Sequence, residues 1–296
     1  MADKFETHKR KAVKWFLELR NKVIDSFEQI ERNAKFQSNS KKLVGQFVVS
    51  QTKRKQSLKV DSGGGVMSIM RDGFVFEKVG VNISTVYGPL DEGVSKLMQA
   101  RGKISECTEP SKFWASGISI VAHMQNPHCP AVHMNTRMFW TPETWWFGGG
   151  ADLNPSIKKL NDTTFFHTSM KECCDRHNTE YYNKFSKWAD EYFYIPHRKT
   201  ARGVGGIFFD DLNTGWDDNF AFVKDVGTTF LSTFKEIVNR RMYEKWTDSD
   251  KETQLRYRGL YTEYNLLYDR GTKFGLESGH DPNAVLMSLP PMARWY

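Results

Sequence analysis

Apolar side chains recur along the chain with two different periods. Between residues 11 and 33 they stand three or four positions apart, the spacing of one helix face, at Val13, Phe16, Leu17, Val23, Ile24, Phe27 and Ile30. This spacing predicts a helix over residues 11–33. Residues 33–57 carry Lys and Arg among Ser and Gln, which predicts a solvated basic connector.

From Val66 the apolar period changes to two, the period of a half-buried strand. The Asp72-Gly73 pair between two such runs predicts a hairpin turn. Further strands are predicted over residues 81–87, 116–124, 131–140, 145–147, 206–210 and 261–268. The strand at 145–147 is expected to stop at the glycine run 148–150. Helical spacing predicts helices over residues 90–101, from Pro155 onward, and over 163–174, 180–193 and 220–242.

The order of these elements indicates the fold class. Strands follow one another through short turns, and helices precede and follow them without strand–helix alternation. This order favours an α+β fold with a large, mostly antiparallel β-sheet flanked by α-helices on both faces. The 296 residues contain no Pro/Ser-rich linker and no internal repeat, so we expect one domain over residues 1–296.

Composition narrows the cellular setting and the class of partner. No apolar run approaches the roughly 20 residues that span a bilayer, and the N-terminus lacks the apolar core of a signal peptide. The four cysteines lack disulfide-framework spacing, so we expect a cytoplasmic protein in a reducing compartment. The formal net charge of +7 favours anionic partners. The basic residues are spread along the chain, which argues against nucleic acid.

Asp269 and Arg270 follow the apolar run that is predicted to be the last strand. A carboxylate among Leu, Tyr and Phe loses hydration and needs a cation or hydrogen-bond donors to stay ionised. Such a carboxylate is a candidate for binding the N–H groups of a small ligand or for moving protons. The alternative is a turn in which Asp269 caps local backbone and Gly271 takes a positive φ.

His133, Asn135 and Arg137 share one face of the strand predicted over residues 131–140, because strand side chains alternate. There the Arg137 guanidinium can hold a ligand carboxylate through two hydrogen bonds. The His133 imidazole can give or take a proton near neutral pH. The alternative is a polar strand face turned to solvent.

Other motifs give weaker indications of chemistry. The histidines lack HExxH and zinc-finger spacing, so no metal is expected. The glycine runs 63–65 and 148–150 are not followed by Gly-Lys-Ser/Thr, so they predict turns or close backbone approach to a ligand. Asp210 and Asp211 are adjacent and would point apart on a strand, which is poor geometry for an acid/base pair.

Six segments together resemble the oxygen-dependent coproporphyrinogen-III oxidase family. They occur in the family's order, at residues 76–82, 133–137, 145–155, 202–212, 264–276 and 286–290. The resemblance implies oxidative decarboxylation of two propionates of coproporphyrinogen III to vinyl groups, giving protoporphyrinogen IX in haem biosynthesis. It also implies dioxygen as co-substrate, no organic cofactor, no general need for a metal, and a homodimer.

The resemblance also implies roles for single positions. His133 matches a proton donor, residues 135–137 match a substrate-binding strand, and Ser119 matches a substrate contact. Asp269 and Arg270 match a pair at the tetrapyrrole. We expect Asp269 to hold or deprotonate a pyrrole N–H, which would give an electron-rich ring that reacts directly with dioxygen.

One stretch departs from the family's pattern. Gly279 and His280 stand where members have a Gly-Ser/Gly-Arg substrate contact, and Asp281 stands where the arginine would be. The family's metal histidines, where they are invoked, match His123, His133, His167 and His197. Two rival functions are an inactive tetrapyrrole carrier on the same fold and a metal-dependent hydrolase that uses these histidines.

Overall fold

A seven-stranded antiparallel sheet forms the centre of the protein in the computed structural model, which describes residues 2–36, 43–53, 62–89, 112–277 and 280–296. The strand order is β1-β2-β3-β4-β5-β6-β9. These strands are Val48–Lys53 (β1), Gly63–Arg71 (β2), Phe76–Pro89 (β3), Lys112–Met124 (β4), Ala131–Trp140 (β5), Trp145–Asn154 (β6) and Gly206–Leu212 (β9). A separate two-stranded ribbon pairs Tyr194–Ile195 (β7) with Thr200–Ala201 (β8).

Helices lie on both faces of the sheet, which confirms the predicted α+β class. They are Ala2–Phe36 (α1), Leu160–Asp175 (α2), Tyr181–Tyr192 (α3), Trp216–Arg241 (α4), Asp248–Leu267 (α5), Arg270–Glu277 (α6) and Pro282–Val285 (α7). Helices α1, α2 and α4 pack on one face in the main apolar core. Tyr261 of α5 and Met287 pack on the other face. Within the part of the chain described, no helix is long and apolar enough to cross a membrane.

Strand β5 shows how the sheet separates core from site. Val132, Met134 and Met138 are fully buried against the helices of the main core. Side chains alternate along a strand, so His133 and Arg137 stand on the opposite face and are only half-buried. The two-residue period in the sequence therefore predicted both the bounds and the polar face of this strand correctly.

The predicted strand over residues 261–268 is wrong, because this segment is the end of helix α5. The helix begins after Thr247, whose side chain forms a reciprocal capping box with Asp250. Its buried residues Tyr261, Tyr264 and Asn265 follow helical spacing. The neighbouring leucines at 266 and 267 are half exposed. They extended the apolar run in sequence and obscured the helical period. Asp269 therefore follows a helix.

The predicted end of a strand at residue 147 is also wrong, since β6 runs through the glycines to Asn154. Strands β5 and β9 flank β6 and pair with it along this stretch, so the ladder holds the glycine backbone extended. Other boundaries differ as well, including those of the first helix, which spans Ala2–Phe36 and not only residues 11–33. The connector contains β1, the helix expected at Pro155 begins at Leu160, and residues 81–87 continue β3. The helix predicted over residues 90–101 lies outside the described residues.

Glu31 ties helix α1 to the β2–β3 turn. Its carboxylate is fully buried and accepts four hydrogen bonds, from the backbone N–H groups of Gly45, Phe74, Val75 and Phe76. Four donors satisfy a buried carboxylate without a cation. The helix and the turn are thereby fixed to each other at the end of the sheet.

We predict that Glu31→Gln lowers the free energy of unfolding by about 2–3 kcal/mol, because the amide NH2 would face backbone donors and leave them unsatisfied. Urea denaturation followed by circular dichroism measures the change. The exposed Glu18→Gln on the same helix is the matched control and should change stability only slightly. Equal losses in the two variants would contradict the role assigned to Glu31.

Candidate active site

A cleft lies on the polar face of the sheet, between the strands and the C-terminal segments. It has a cavity volume of about 320 Å³, within the size range of small-molecule sites. Helices α6 and α7 form one wall, together with the end of α3. Its polar lining includes Ser119, His133, Asn135, Arg137, Asp269 and His280. The structure therefore brings most of the predicted site residues to one cleft.

Small side chains form the floor of this cleft. Cross-strand register aligns two rows on this face, one of Gly65, Ser84, Gly117, Arg137 and Gly148, the other of Asn82, Ser119, Asn135 and Gly150. Few large side chains project from these rows. A flat ligand can therefore approach the backbone closely over several strands.

Asp152 is the buried anchor of the polar residues on β5. Its carboxylate is completely buried and accepts hydrogen bonds from Arg202 Nη2 at 2.6 Å, Asn154 Nδ2 at 2.7 Å and His133 Nδ1 at 2.7 Å. Burial alone would raise the pKa of Asp152, but Arg202 and His133 beside it hold that pKa below its ordinary value. Asp152 is thus an ionised carboxylate beneath the histidine.

Arg202 is itself almost fully buried, with 2% of its surface exposed. Its guanidinium carbon lies 4.2 Å from the ring centre of Phe193, 4.5 Å from that of Tyr264 and 4.8 Å from that of Tyr261. These aromatic faces contribute cation–π attraction where water is absent. The cation opposite Asp152 is therefore fixed by packing as well as by charge.

The direction of the hydrogen bonds along β5 is fixed by Arg137, which has only donors. Its Nη1 donates to Asn135 Oδ1 at 3.2 Å, so the Asn135 amide presents Nδ2 to His133 Nε2 at 3.1 Å. His133 then donates from Nδ1 to Asp152 and accepts at Nε2. The imidazole is neutral in this arrangement, with its acceptor nitrogen on the cleft side.

Arg137 lies between two glycines and reaches across the sheet to Asp210. Its Nη2 is 3.1 Å from Asp210 Oδ2, and the carboxylate is nearly buried. A Cβ on Gly148 would lie 2.4 Å from Asp210 Oδ1 and 2.9 Å from Arg137 Nη2. A Cβ on Gly117 would lie 2.9 Å from the Arg137 Cβ. These glycines leave space for the guanidinium, so the expected turn at 148–150 is replaced by close packing.

A β-bulge directs Asp210 toward Arg137. The β6–β9 register shifts between Phe147 and Gly149, and Asp211 adopts a left-handed conformation with φ of 64°. A bulge of this kind changes the direction of a side chain at the end of a ladder. Asp210 consequently forms an ion pair with a strand that is not its immediate neighbour.

Asp269 caps helix α6 and faces the cleft. Its Oδ2 accepts from the backbone N–H and the hydroxyl of Thr272 at 2.7 and 2.9 Å, and its Oδ1 accepts from the hydroxyl of Tyr192 at 2.9 Å. Gly271 lies inside the helix, so the positive φ considered for it is wrong. Arg270 is exposed, and its guanidinium lies 4.8 Å from the ring centre of Tyr192.

The C-terminal residues considered for the site differ in where the structure places them. His280 lines the cleft near Phe274, with 6.1 Å between their ring centres. Gly279 lies outside the described residues. Asp281 caps helix α7, because its Oδ1 accepts from the backbone N–H of Asn283 at 2.9 Å. The carboxylate at this position thus has a structural partner.

The four histidines of the candidate metal set are not brought together. His123 is buried, and its Nε2 is 2.8 Å from the Ser288 carbonyl oxygen. His167 lies between the Tyr182 hydroxyl and the Val204 carbonyl, and His197 lies between Tyr268 and Glu263. Among the residues the structure describes, no group of three or more His, Cys, Asp or Glu side chains is arranged to hold a metal ion.

Four residues around the cleft were missed by sequence reasoning. Asp152 and Arg202 support His133 from below, Tyr192 contacts Asp269, and Asn82 lines the floor. Asp152 stands opposite His133 in the β5–β6 register. A strand continued through the glycine run would have placed it there.

Comparison with known proteins gives a consistent family match. The family model described as coproporphyrinogen III oxidase matches residues 11–296. Curated relatives named oxygen-dependent coproporphyrinogen-III oxidase come from Rickettsia bellii (strain OSU 85-389) and Rickettsia rickettsii (strain Sheila Smith), each 48% identical over 95% of this chain and 96% of the relative. The protein of the same name from Rickettsia akari (strain Hartford) is 46% identical with the same coverage.

We predict that Asp152→Asn lowers the free energy of unfolding by about 3–5 kcal/mol at pH 7, because Arg202 is left buried and unpaired. The lowered pKa of Asp152 stabilises the wild-type fold above the ordinary aspartate pKa, and this contribution is lost as pH falls through the lowered value. The difference between variant and wild type should therefore shrink below about pH 4.

Urea denaturation at pH 7, 5 and 3.5 measures this difference. The exposed Glu172→Gln on α2 is the control and should have a small effect at every pH. A difference for Asp152→Asn that stays constant down to pH 3.5 would contradict the assigned ion pair.

Proposed function

The chain belongs to the coproporphyrinogen III oxidase family, and from this premise we propose that the cleft on β5 oxidises coproporphyrinogen III to protoporphyrinogen IX in haem biosynthesis. Each reacting propionic acid side chain and one dioxygen give one vinyl group, one carbon dioxide and one hydrogen peroxide. The side chain loses its carboxyl group and two electrons, and dioxygen takes up two electrons and two protons. No organic cofactor is required by this balance.

The single observation that best supports the proposal is that a cation and a carboxylate stand on different walls of the cleft, with a floor of small residues between them. Arg137 lies on the strand side of the cleft, and Asp269 lies on the helical wall. A tetrapyrrole has carboxylates at its rim and N–H donors at its centre. The Arg137 guanidinium suits the rim, and the Asp269 carboxylate suits the centre.

Asp269 has room for one further hydrogen bond. An ionised carboxylate offers about four acceptor positions, and three are occupied by Thr272 and Tyr192. The remaining position on Oδ1 takes a pyrrole N–H, or removes its proton. Either event increases the electron density of that pyrrole, which then reacts with dioxygen directly.

We assign His133 the role of proton acceptor, opposite to the donor role that the resemblance implies, because of the arrangement of the β5 side chains. Its Nε2 accepts from Asn135 and carries no proton of its own there. Vinyl formation releases a proton from the carbon next to the pyrrole. The imidazole lies four residues from Arg137 along the strand, with only the Asn135 amide between the two side chains, so it is within reach of a propionate held by that guanidinium. Ser119 and Asn135, on the floor between them, contact the substrate.

The proposal also covers the oligomeric state, the domain organisation and the cellular location of the protein. A homodimer is supported by β1, which is an edge strand of the sheet among the described residues and whose Val48 and Val49 are 73% and 53% exposed. An exposed apolar edge strand favours association with another chain. One domain over residues 1–296 is supported by the family match over 11–296. A cytoplasmic location is supported by buried free thiols at Cys129, 173 and 174.

Product formation tests the function directly. Purified protein with coproporphyrinogen III should give protoporphyrinogen IX in air, none under nitrogen, and the same rate after treatment with a chelator. Tetrapyrrole binding without turnover would instead identify a carrier. Loss of activity on chelation would show that a metal is needed. Light scattering of the same preparation should give twice the mass of the chain.

We predict that Asp269→Ala and Asp269→Asn each lower kcat at least about a hundredfold, because both remove the charged acceptor. Asparagine is also a good helix N-cap, so Asp269→Asn separates the chemical role from capping of α6. Turnover is measured in air, with thermal unfolding as the check on the fold. Near-normal turnover in Asp269→Asn would contradict the assignment and leave only the capping role.

A further inference from the structure

Tyr192 is a half-buried residue at the end of α3 that contacts the Asp269–Arg270 junction. Its hydroxyl donates to Asp269 Oδ1 at 2.9 Å and accepts from the backbone N–H of Arg270 at 3.2 Å. The ring also lines the cleft. One side chain therefore holds both the carboxylate and the start of helix α6.

The Tyr192 ring is held firmly by aromatic neighbours. It stacks on Phe208 with 4.1 Å between ring centres and 17° between planes. Its own backbone carbonyl accepts a hydrogen bond from the Tyr264 hydroxyl at 2.7 Å. Phe208 belongs to β9 and Tyr264 to α5, so the position of the phenol is set by the sheet and by a long helix.

The Tyr192 hydroxyl is a permanent donor near neutral pH. Burial and the neighbouring Asp269 carboxylate raise the pKa of Tyr192 to about 12. The phenol therefore stays protonated, and with its one proton it donates to Asp269. Its acceptor capacity is used by the Arg270 N–H.

The contact determines which part of the carboxylate is left for a ligand. Thr272 occupies Oδ2 twice, and Tyr192 occupies one position on Oδ1. The remaining acceptor position is therefore on Oδ1, beside the phenol, and its direction depends on the angle at which the phenol holds the carboxylate. Loss of the hydroxyl frees the carboxylate to rotate about the Thr272 contacts.

We propose that Tyr192 is a positioning residue for this reaction: its hydroxyl fixes the direction in which the Asp269 carboxylate faces the tetrapyrrole. The inference rests on the proposed function, because it assigns Asp269 to the substrate. It adds a residue that acts through Asp269 and does not itself take a proton from the substrate. The Arg270 guanidinium, 4.8 Å from the same ring, is oriented by the face of that ring.

Tyr192→Phe is the test, because it removes the hydroxyl and keeps the stacked ring. We expect kcat to fall roughly ten- to hundredfold, the size associated with one hydrogen bond to a charged group. KM should change less than kcat. The loss should appear in kcat and not in KM, because the hydroxyl orients a group that acts in the reaction and leaves the rest of the cleft unchanged.

Tyr268→Phe is the matched control. It removes the hydroxyl of the tyrosine next to Asp269, which contacts His197 at 2.7 Å and does not line the cleft. This variant should keep the wild-type kcat and KM. Thermal unfolding of both variants checks that the fold is retained.

Three outcomes decide the inference. A lower kcat with a nearly unchanged KM and a wild-type unfolding temperature in Tyr192→Phe alone supports it. An unchanged kcat overturns it, as does a lower kcat that accompanies an equal or larger rise in KM or a lower unfolding temperature. A wild-type protein that forms no product overturns the proposed function instead, so the two failures are distinguishable.

Discussion

The buried ion pair between Asp152 and Arg202 is the interaction on which the site depends. Removing two charges from water costs several kcal/mol for each ion, which their mutual attraction and hydrogen bonds must offset. Here the carboxylate has three donors, and the guanidinium is enclosed by aromatic rings. The pair therefore holds His133 by its Nδ1 from inside the protein, and the opposite nitrogen is left on the cleft side.

From this ion pair, hydrogen bonds of defined direction continue along the face of β5. Asp152 can only accept and Arg137 can only donate, so the imidazole and the Asn135 amide between them have one consistent arrangement. At the other end of this row of hydrogen bonds, Arg137 forms an ion pair with Asp210. Glycines beside Arg137 make this possible, because side chains there would occupy the space of the guanidinium. The glycine packing and the hydrogen bonds thus favour the same arrangement of the side chains on the face of β5.

The sequence predicted the structure well where the spacing of polar and apolar residues followed a single period. In strand β5 the residues His133, Asn135 and Arg137 recur with a period of two, so its bounds and the His133–Arg137 face were predicted correctly. Prediction failed where tertiary contacts override local patterns. The glycines of β6 are extended because strands pair on both sides, and the end of α5 is helical although Leu266 and Leu267 mimic a strand. The bulge at Asp211 and the contact of Tyr192 with Asp269 join distant segments and have no local signal.

The protonation pattern of His133 tests the central claim most directly. Side-chain 15N NMR of histidine-labelled protein at pH 7.5 distinguishes the two tautomers, and comparison with His133→Gln assigns the signals. The buried carboxylate and the donor-only Arg137 predict a proton on Nδ1 and none on Nε2. A proton on Nε2 with none on Nδ1, or protons on both nitrogens, would contradict the account.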